Sequence, residues 1–445
     1  FQAEDGIRDC LLSRGLGDVY KRQDMIRKSI QSRRARETRL KIYGITSICF
    51  ALIMLATLLI SIGLNGYSAL QQAYFKVDIS VNMDKLVDDS GTINKNKMNL
   101  FNWDGLVKSA VRESFPEVKE RDEKKELFAI ISANAGYDLK EIIKKKALGG
   151  GSHTLSVWLH LSDDADQYLK GRLSIDIPEE DRRINNKQIA WVNSLVERDI
   201  AKLKFNKTFF TSADSREPES AGILGSVVGS ALTLFVTVMF ALPLAVMASI
   251  YLEYFAKPGR ITDFIEVNIN NLAAVPSIVF GLLGLSVFLS TFGLPRSAPL
   301  VGGLVLGLMT LPTIIIASRA SIRSIPPSIR EAALGLGASK MQAALHHVLP
   351  LAAPGILTGT IIGMAQALGE TAPLLMIGMV AFIIDIPTTF TSSATAMPVQ
   401  IYMWSDSAER AFYERSSLAI LFLVAFLISM NLLAVILRKK FEKKW

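Results

Sequence analysis

Two places in the 445-residue chain carry residue types at spacings that suggest chemistry. The first is the polar stretch Arg319–Pro350, RASIRSIPPSIREAALGLGASKMQAALHHVLP. Pro326 and Pro327 cannot continue a preceding helix but suit the start of a new one. Ser328–Leu336 then reads as a short amphipathic helix with Ile329, Ala332, Ala333 and Leu336 on one side, and Gly337 permits the left-handed turn that ends it. A second short helix is expected over about Ser339–His346, leading to Leu349-Pro350. Small alanines at such a turn let the groove of another protein approach closely. The second place is Glu370, the only formal charge between Lys340 and Asp385. An ionisable group so deep in an apolar segment costs a few kcal/mol and normally faces a bundle interior or a cavity. Gly369 and Pro373 flank it, and both can open a helix. A broken helix at membrane depth exposes N–H groups that suit an anion.

Other chemistry is thin. His153 and His160 lie without a Cys or third His at ligand spacing, so they are expected to serve the surface or packing. His346 and His347 are adjacent and point to different sides of a helix, and the apolar runs contain no Asp, which argues against an intramembrane protease. Cys10 and Cys49 make no disulfide framework. There is no G-x-x-x-x-G-K-[ST] phosphate loop, so ATP hydrolysis is not expected in this chain.

The elements that must hold these residues are membrane helices. Charge-free runs span Ile42–Phe75, Ser220–Leu252, Val267–Pro295, Ser297–Ser318 and Ser416–Leu437, and Met341–Gly369 continues past Glu370 to Ile384. Each exceeds the roughly 20 apolar residues that cross a ~30 Å hydrocarbon core. A soluble enzyme, a fibre and a disordered chain are excluded. Six crossings are expected, over about 43–64, 221–251, 271–293, 298–317, 354–380 and 417–437. A two-span receptor does not fit this count. The net charge of +8 points to the membrane rather than to nucleic acid. Lys21–Lys41 carries nine basic residues against two acidic, and Arg438–Trp445 five against one, whereas Tyr67–Arg216 is balanced at 24 and 23. That pattern predicts both termini in the cytoplasm, with Arg319, Arg323, Arg330, Lys340, Lys257 and Arg260 in cytoplasmic loops.

The expected organisation follows. Residues 1–23 resemble translated sequencing-adapter sequence and are read as non-native or as a disordered tail. Residues 24–41 form a basic cytoplasmic segment, 42–66 the first transmembrane helix, and 67–216 an extracytoplasmic α+β insert. A five-helix core occupies 217–437, its cytoplasmic loop is 319–350, and 438–445 is a basic tail. Within the insert, Phe75–Met83 and Leu155–Leu161 alternate apolar and polar residues as half-buried strands do. Trp103–Phe115, Lys124–Ala135 and Lys187–Lys204 read as helices, and Gly149–Gly151 as a loop.

Glu331-Ala332-Ala333, Gly337 and Leu349-Pro350 resemble the EAA–G–LP loop of ABC-importer permeases, with His347 where that family usually has Ile or Val. Val275-Pro276-Ser277-Ile278-Val279-Phe280-Gly281 and Ala367-Leu368-Gly369-Glu370-Thr371-Ala372-Pro373-Leu374-Leu375 resemble segments of phosphate-importer permeases of the PstA type. The resemblance covers residues 215–440. The insert and first span are similar to an N-terminal extension found in one branch of that family. The resemblance implies an all-α polytopic membrane protein, a type I importer bundle of six transmembrane helices, with the α+β insert outside. It implies docking of Ser328, Arg330, Glu331, Ala332, Ala333, Leu336 and Gly337 on an ATPase. It also implies a translocation path through Pro276, Ser277, Gln366, Gly369, Glu370, Thr371 and Pro373. A homologous second permease, an ABC ATPase dimer and an extracytoplasmic phosphate-binding protein are the implied partners, together with lipid and no nucleic acid. ATP and Mg would sit in the ATPase, so no cofactor is expected in this chain. Sulfate or molybdate is the alternative cargo. Many phosphate permeases carry Arg where this chain has Gln366 and Ile316, so the missing positive charge is left to Arg319, one turn after Ile316 and otherwise a positive-inside residue, or to the partner permease.

Overall fold

The computed structural model describes residues 2–86, 94–146, 151–380 and 382–441. The chain divides into two compact units, Phe1–Ile62 and Gly63–Trp445. The first is helical. One helix runs Gln2–Gly66. No proline interrupts this stretch, and a nucleated helix propagates until something stops it. Its apolar portion belongs to a candidate membrane span, Arg33–Leu70.

The second unit opens with an α+β region. Strand β1 is Gln71–Asn82, β2 is Ser152–His160 and β3 is Ala201–Phe205, in an antiparallel sheet of order β2-β1-β3. Val77 faces Val157 across one edge and Ala73 faces Leu203 across the other. The two-residue period sends Phe75, Val77, Ile79 and Val81 inward, while Lys76, Asp78 and Ser80 stay outside. The inward row joins a core built by Trp103, Val107, Leu139, Ile143, Val192 and Leu195 from three helices. Helix Trp103–Ser114 starts where Asn102 accepts the Gly105 N–H at 2.8 Å, and Asn186–Glu197 starts on a capping box between Asn185 and Gln188.

Two expected helices of this region are corrected. Lys124–Ala135 is two elements, Arg121–Ala129 and Ala135–Lys146. Between them Ile131 pairs with Leu161, and the Asn134 N–H donates to Ser132 Oγ at 3.1 Å, a local turn that competes with helix. Lys187–Lys204 stops as a helix at Glu197. Asp199 turns at φ 60°, and the rest becomes β3. The expected loop at 149–151 lies outside the described residues except for Gly151. His160 is buried, with Asp138 Oδ2 at 2.5 Å and Thr208 Oγ1 at 3.2 Å.

The apolar core contributes candidate spans Leu224–Phe255, Pro299–Arg323, Lys340–Gly369 and Arg410–Lys440, plus a pair, Arg260–Ala273 and Ser277–Thr291, bent by 104°. With Arg33–Leu70 these make six crossings if the bent pair counts as one. The third crossing, expected as a single helix over 271–293, is therefore broken. Pro276 has no N–H to continue the ladder, and it forces the residue before it out of helical conformation. Pro299–Arg323 lies at the centre, packed on Leu224–Ile250 and on Leu349–Gly369. Gly303 allows the first contact: a Cβ there would sit 2.8 Å from the Thr233 carbonyl oxygen. Two intramembrane hydroxyls bond to carbonyls of a neighbouring helix. Thr237 donates to Gly303 O at 3.2 Å, and Ser249 to Ile315 O at 3.2 Å.

A buried ionic network ties the α+β region to the last crossing. Lys170 Nζ lies 2.6 Å from both Asp166 Oδ2 and Glu414 Oε1, with all three side chains at most 3% exposed. Asp166 also accepts the Ala73 N–H at 2.7 Å, and Ser68 donates to Glu414. Arg415, 1% exposed, donates to Ala221 O at 2.9 Å and to Gln72 Oε1 at 2.5 Å. Removing one member leaves an uncompensated buried charge, which costs several kcal/mol. Lys170→Ala should therefore lower stability by about 3–5 kcal/mol, read as a lower thermal midpoint in detergent. An unchanged midpoint would contradict this reading.

Asp163 lies near this network. Burial first, then Asp164, Asp166 and Glu219, push its carboxyl up to about 7, and Arg415 offsets part of the rise. The native state thus prefers the protonated form. This contribution to stability is complete below the ordinary 3.8 and disappears as pH rises through about 7. Asp163→Asn should raise the midpoint at pH 8 and leave it nearly unchanged at pH 3.5. A larger gain in acid would contradict the sign.

Candidate functional site

The two helix breaks meet. On one side, Pro276 is extended (φ −56°, ψ 137°) and opens the helix Ser277–Leu283. On the other, Leu349–Gly369 ends and Glu370 is extended (φ −80°, ψ 127°). The chain resumes as the short helix Ala372–Met376, with Pro373 in its first turn. The crossing expected over 354–380 is thus interrupted at Glu370, because Pro373 cannot donate into a continuing ladder. Past it, Gly378 turns at φ 89°, and the Ser297 hydroxyl donates to its carbonyl.

Gly281 is where the segments touch. A Cβ there would lie 2.7 Å from Pro373 Cα and 2.9 Å from Met376 Cβ. Only glycine allows that approach without moving a backbone. Phe280, 4% exposed, packs in one apolar cluster with Ala367, Leu368, Leu374 and Ile377. The PSIVFG and GETAPLL motifs therefore form a single packed unit. Around it Pro276, Gln366 and Gly369 are exposed, Ser277, Glu370 and Thr371 are half-buried, and Pro373 is buried. The Glu370 N–H donates to Ala367 O at 3.3 Å, while its carboxylate has no ion-pair partner among the described residues.

Arg319 does not join this unit as a free cation. Its Nε lies 2.7 Å from Glu253 Oε1, its Nη2 donates to Glu266, and Arg323 Nε reaches Glu253 Oε2 at 2.9 Å. Arg319, the candidate for the missing positive charge, is thus held by two carboxylates. Sequence reasoning passed over Glu253 and Glu266. The signal was Glu253 closing a charge-free run, and Arg319 and Arg323 one helical turn apart.

The polar loop is simpler than expected. Its helix is Pro327–Gly335, shifted by one residue from Ser328–Leu336, and Gly337 follows at φ 92°. The apolar side is divided between core and surface. Ala333 is buried and Ile329 half-buried, but Ala332 and Leu336 point outward, Leu336 being 91% exposed. Ser328, Glu331 and Gly337 share that exposed surface, whereas Arg330 is half-buried over the Tyr254 ring at 4.8 Å. The separate second helix over 339–346 is absent. Ser339 and Gln342 form a capping box, and the chain continues through a widened turn at Ala343–Val348 into Leu349–Gly369. The widening absorbs the hydrogen bond that Pro350 cannot make.

The C-terminal half, residues 220–445, matches the family model described as "Binding-protein-dependent transport system inner membrane component". The chain belongs to that family and is a multi-pass membrane permease of the PstA type. Residues 27–179 match a second model, described as a domain of unknown function, DUF3333. Relatives include phosphate transport system permease protein PstA 1 of Mycobacterium tuberculosis, 31% identical over 222 residues, 50% of this chain and 72% of that protein. PstA of Mycobacterium leprae is 32% identical over 224 residues, 50% of this chain and 72% of that one. PstC of Pasteurella multocida is 29% identical over 252 residues, 51% and 77%.

The contact predicts a contrast between two glycines. Gly281→Ala forces a Cβ into Pro373 and should lower the thermal midpoint, as overpacking typically costs about 1–3 kcal/mol. Gly369→Ala places its Cβ in open space, with nothing within 4 Å. It should fold with a near-native midpoint. Equal effects at both positions would contradict the packing described.

Proposed function

We propose that this chain is the transmembrane permease subunit of an ATP-driven importer of inorganic phosphate. The observation that carries the reading is the packed unit of Pro276–Gly281 and Gly369–Pro373, in a chain whose relatives are phosphate permeases. The segments that follow the two interruptions pack on each other at Gly281 and Pro373, and the half-buried Glu370 stands at the second interruption, where it would lie at membrane depth. Such a break is tolerated there only in protein or along a water-filled path. The path would be completed by a homologous second permease and fed by an extracytoplasmic phosphate-binding protein. Both termini and the 319–350 loop would lie in the cytoplasm and the α+β region outside, following the positive-inside pattern.

In this account ATP and Mg are bound by a separate ATPase dimer. Its closure would push on Pro327–Gly335 through exposed Glu331, Ala332 and Leu336. Because that helix leads through Ser339 directly into Lys340–Gly369, the push would act on the crossing that ends at Glu370. Arg319, held by Glu253 and Glu266, would stabilise the cytoplasmic end of the bundle.

In vesicles containing the assembled transporter, Glu331→Lys should reduce ATP-driven phosphate uptake at least about tenfold while membrane insertion stays normal. Excess sulfate should leave wild-type uptake unchanged. Normal uptake by Glu331→Lys would overturn the coupling, and strong competition by sulfate would overturn the choice of cargo.

A further inference from the structure

A cavity of about 520 Å³ lies at the seam between the α+β region and the segments that enter the second and last crossings. Its volume falls within the ~300–1,000 Å³ typical of small-molecule sites. Six carboxylates line it: Asp104, Asp163, Asp164, Glu217, Glu219 and Glu409. Lys108 is the one basic residue in the lining, and it sits over the Phe128 ring at 5.7 Å. Glu409 is engaged by Arg183 at 2.6 Å.

Glu219 is the second, independent observation. It is 2% exposed, lines the cavity, and its Oε2 has no hydrogen-bond partner among the described residues. Both oxygens of Asp163 are likewise buried and unpartnered. Buried carboxylates without partners cost free energy unless something supplies donors. Burial pushes the carboxyl of Glu219 up despite a hydrogen bond from Ser132 and the charge of Arg415.

We propose that this cavity binds a flexible organic cation carrying two or more primary ammonium groups. Each ammonium brings three N–H donors and no acceptor, matching a wall of acceptors. A compact metal ion fits less well, because no group of three His, Cys, Asp or Glu side chains among the described residues is placed to ligate one. A methylene chain between ammonium groups spans separated carboxylates and packs on Val107, Ile131 and Pro218. Because Glu217 and Glu219 precede the second crossing and Glu409 the last, occupancy ties the α+β region to both. The same chemistry is presented by a free polyamine or by lysine side chains of another protein.

The test is calorimetric titration of the purified full-length chain in detergent with spermidine, with tri-lysine peptide and with Mg²⁺. Spermidine binding that Asp163→Asn/Glu219→Gln weakens at least tenfold, and that Asp176→Asn outside the cavity leaves unchanged, supports a free amine. The same dependence for tri-lysine alone supports a protein side chain. Glu217→Gln, on a half-buried rim residue, should weaken binding severalfold in protein of native midpoint. Absence of binding by either amine, equal binding by these variants, or displacement of spermidine by equimolar Mg²⁺ overturns the proposal.

Discussion

In hydrocarbon every backbone N–H and C=O must be satisfied within the protein, and this requirement governs where the permease core interrupts its helices. Pro276 and Pro373 each remove a donor and end a helical ladder. An isolated break of this kind would be costly in lipid. Here the segments that follow the two breaks are packed on each other: Gly281 lies on Pro373, and Phe280 is sealed among Ala367, Leu368 and Leu374. The interruptions support one another, which leaves Glu370 and Thr371 half-buried at their edge rather than exposed on a straight helix. The same economy recurs along the central crossing, where Thr237 and Ser249 donate to carbonyls of the neighbouring helix.

A second constraint acts at the outer seam. Lys170, Asp166, Glu414 and Arg415 are buried together, so none can leave without stranding the others. The network joins helix Asp163–Leu169 to helix Arg410–Phe441. Motion of the last crossing relative to the α+β region would have to break charge pairs out of contact with water, which makes these parts move as one body. Beside this cluster lies the opposite case, the carboxylate of Asp163 and the Oε2 of Glu219, which have no hydrogen-bond partner among the described residues.

Much of this was legible in the residues. The charge-free runs located the apolar crossings because a membrane imposes length and composition together. The alternation in Phe75–Met83 and Leu155–Leu161 located two strands. The third strand, Ala201–Phe205, was hidden because Lys202 and Lys204 lie on a short edge strand beyond the Asp199 turn, and the stretch reads as a helix end. The break at Glu370 was foreshadowed by Gly369 and Pro373, whereas Pro276 lay inside a stretch read as one crossing, and the contact between the two segments was not foreseen: sequence spacing says nothing about which breaks face each other. Arg319 was read alone because its partners, Glu253 and Glu266, come from two other helices. The loop helix was placed within one residue, but how its apolar side divides between core and surface was not legible, since amphipathic periodicity cannot tell an inward apolar face from one kept for a partner.

The central claim is that the break at Gly369–Pro373 lies on the phosphate path. It is tested most directly by the rate at which a water-soluble maleimide modifies Thr371→Cys in the assembled transporter, with native cysteines replaced by serine. The account predicts that phosphate slows the modification and that sulfate does not. Modification at one rate with and without phosphate, or no modification at all, would contradict it.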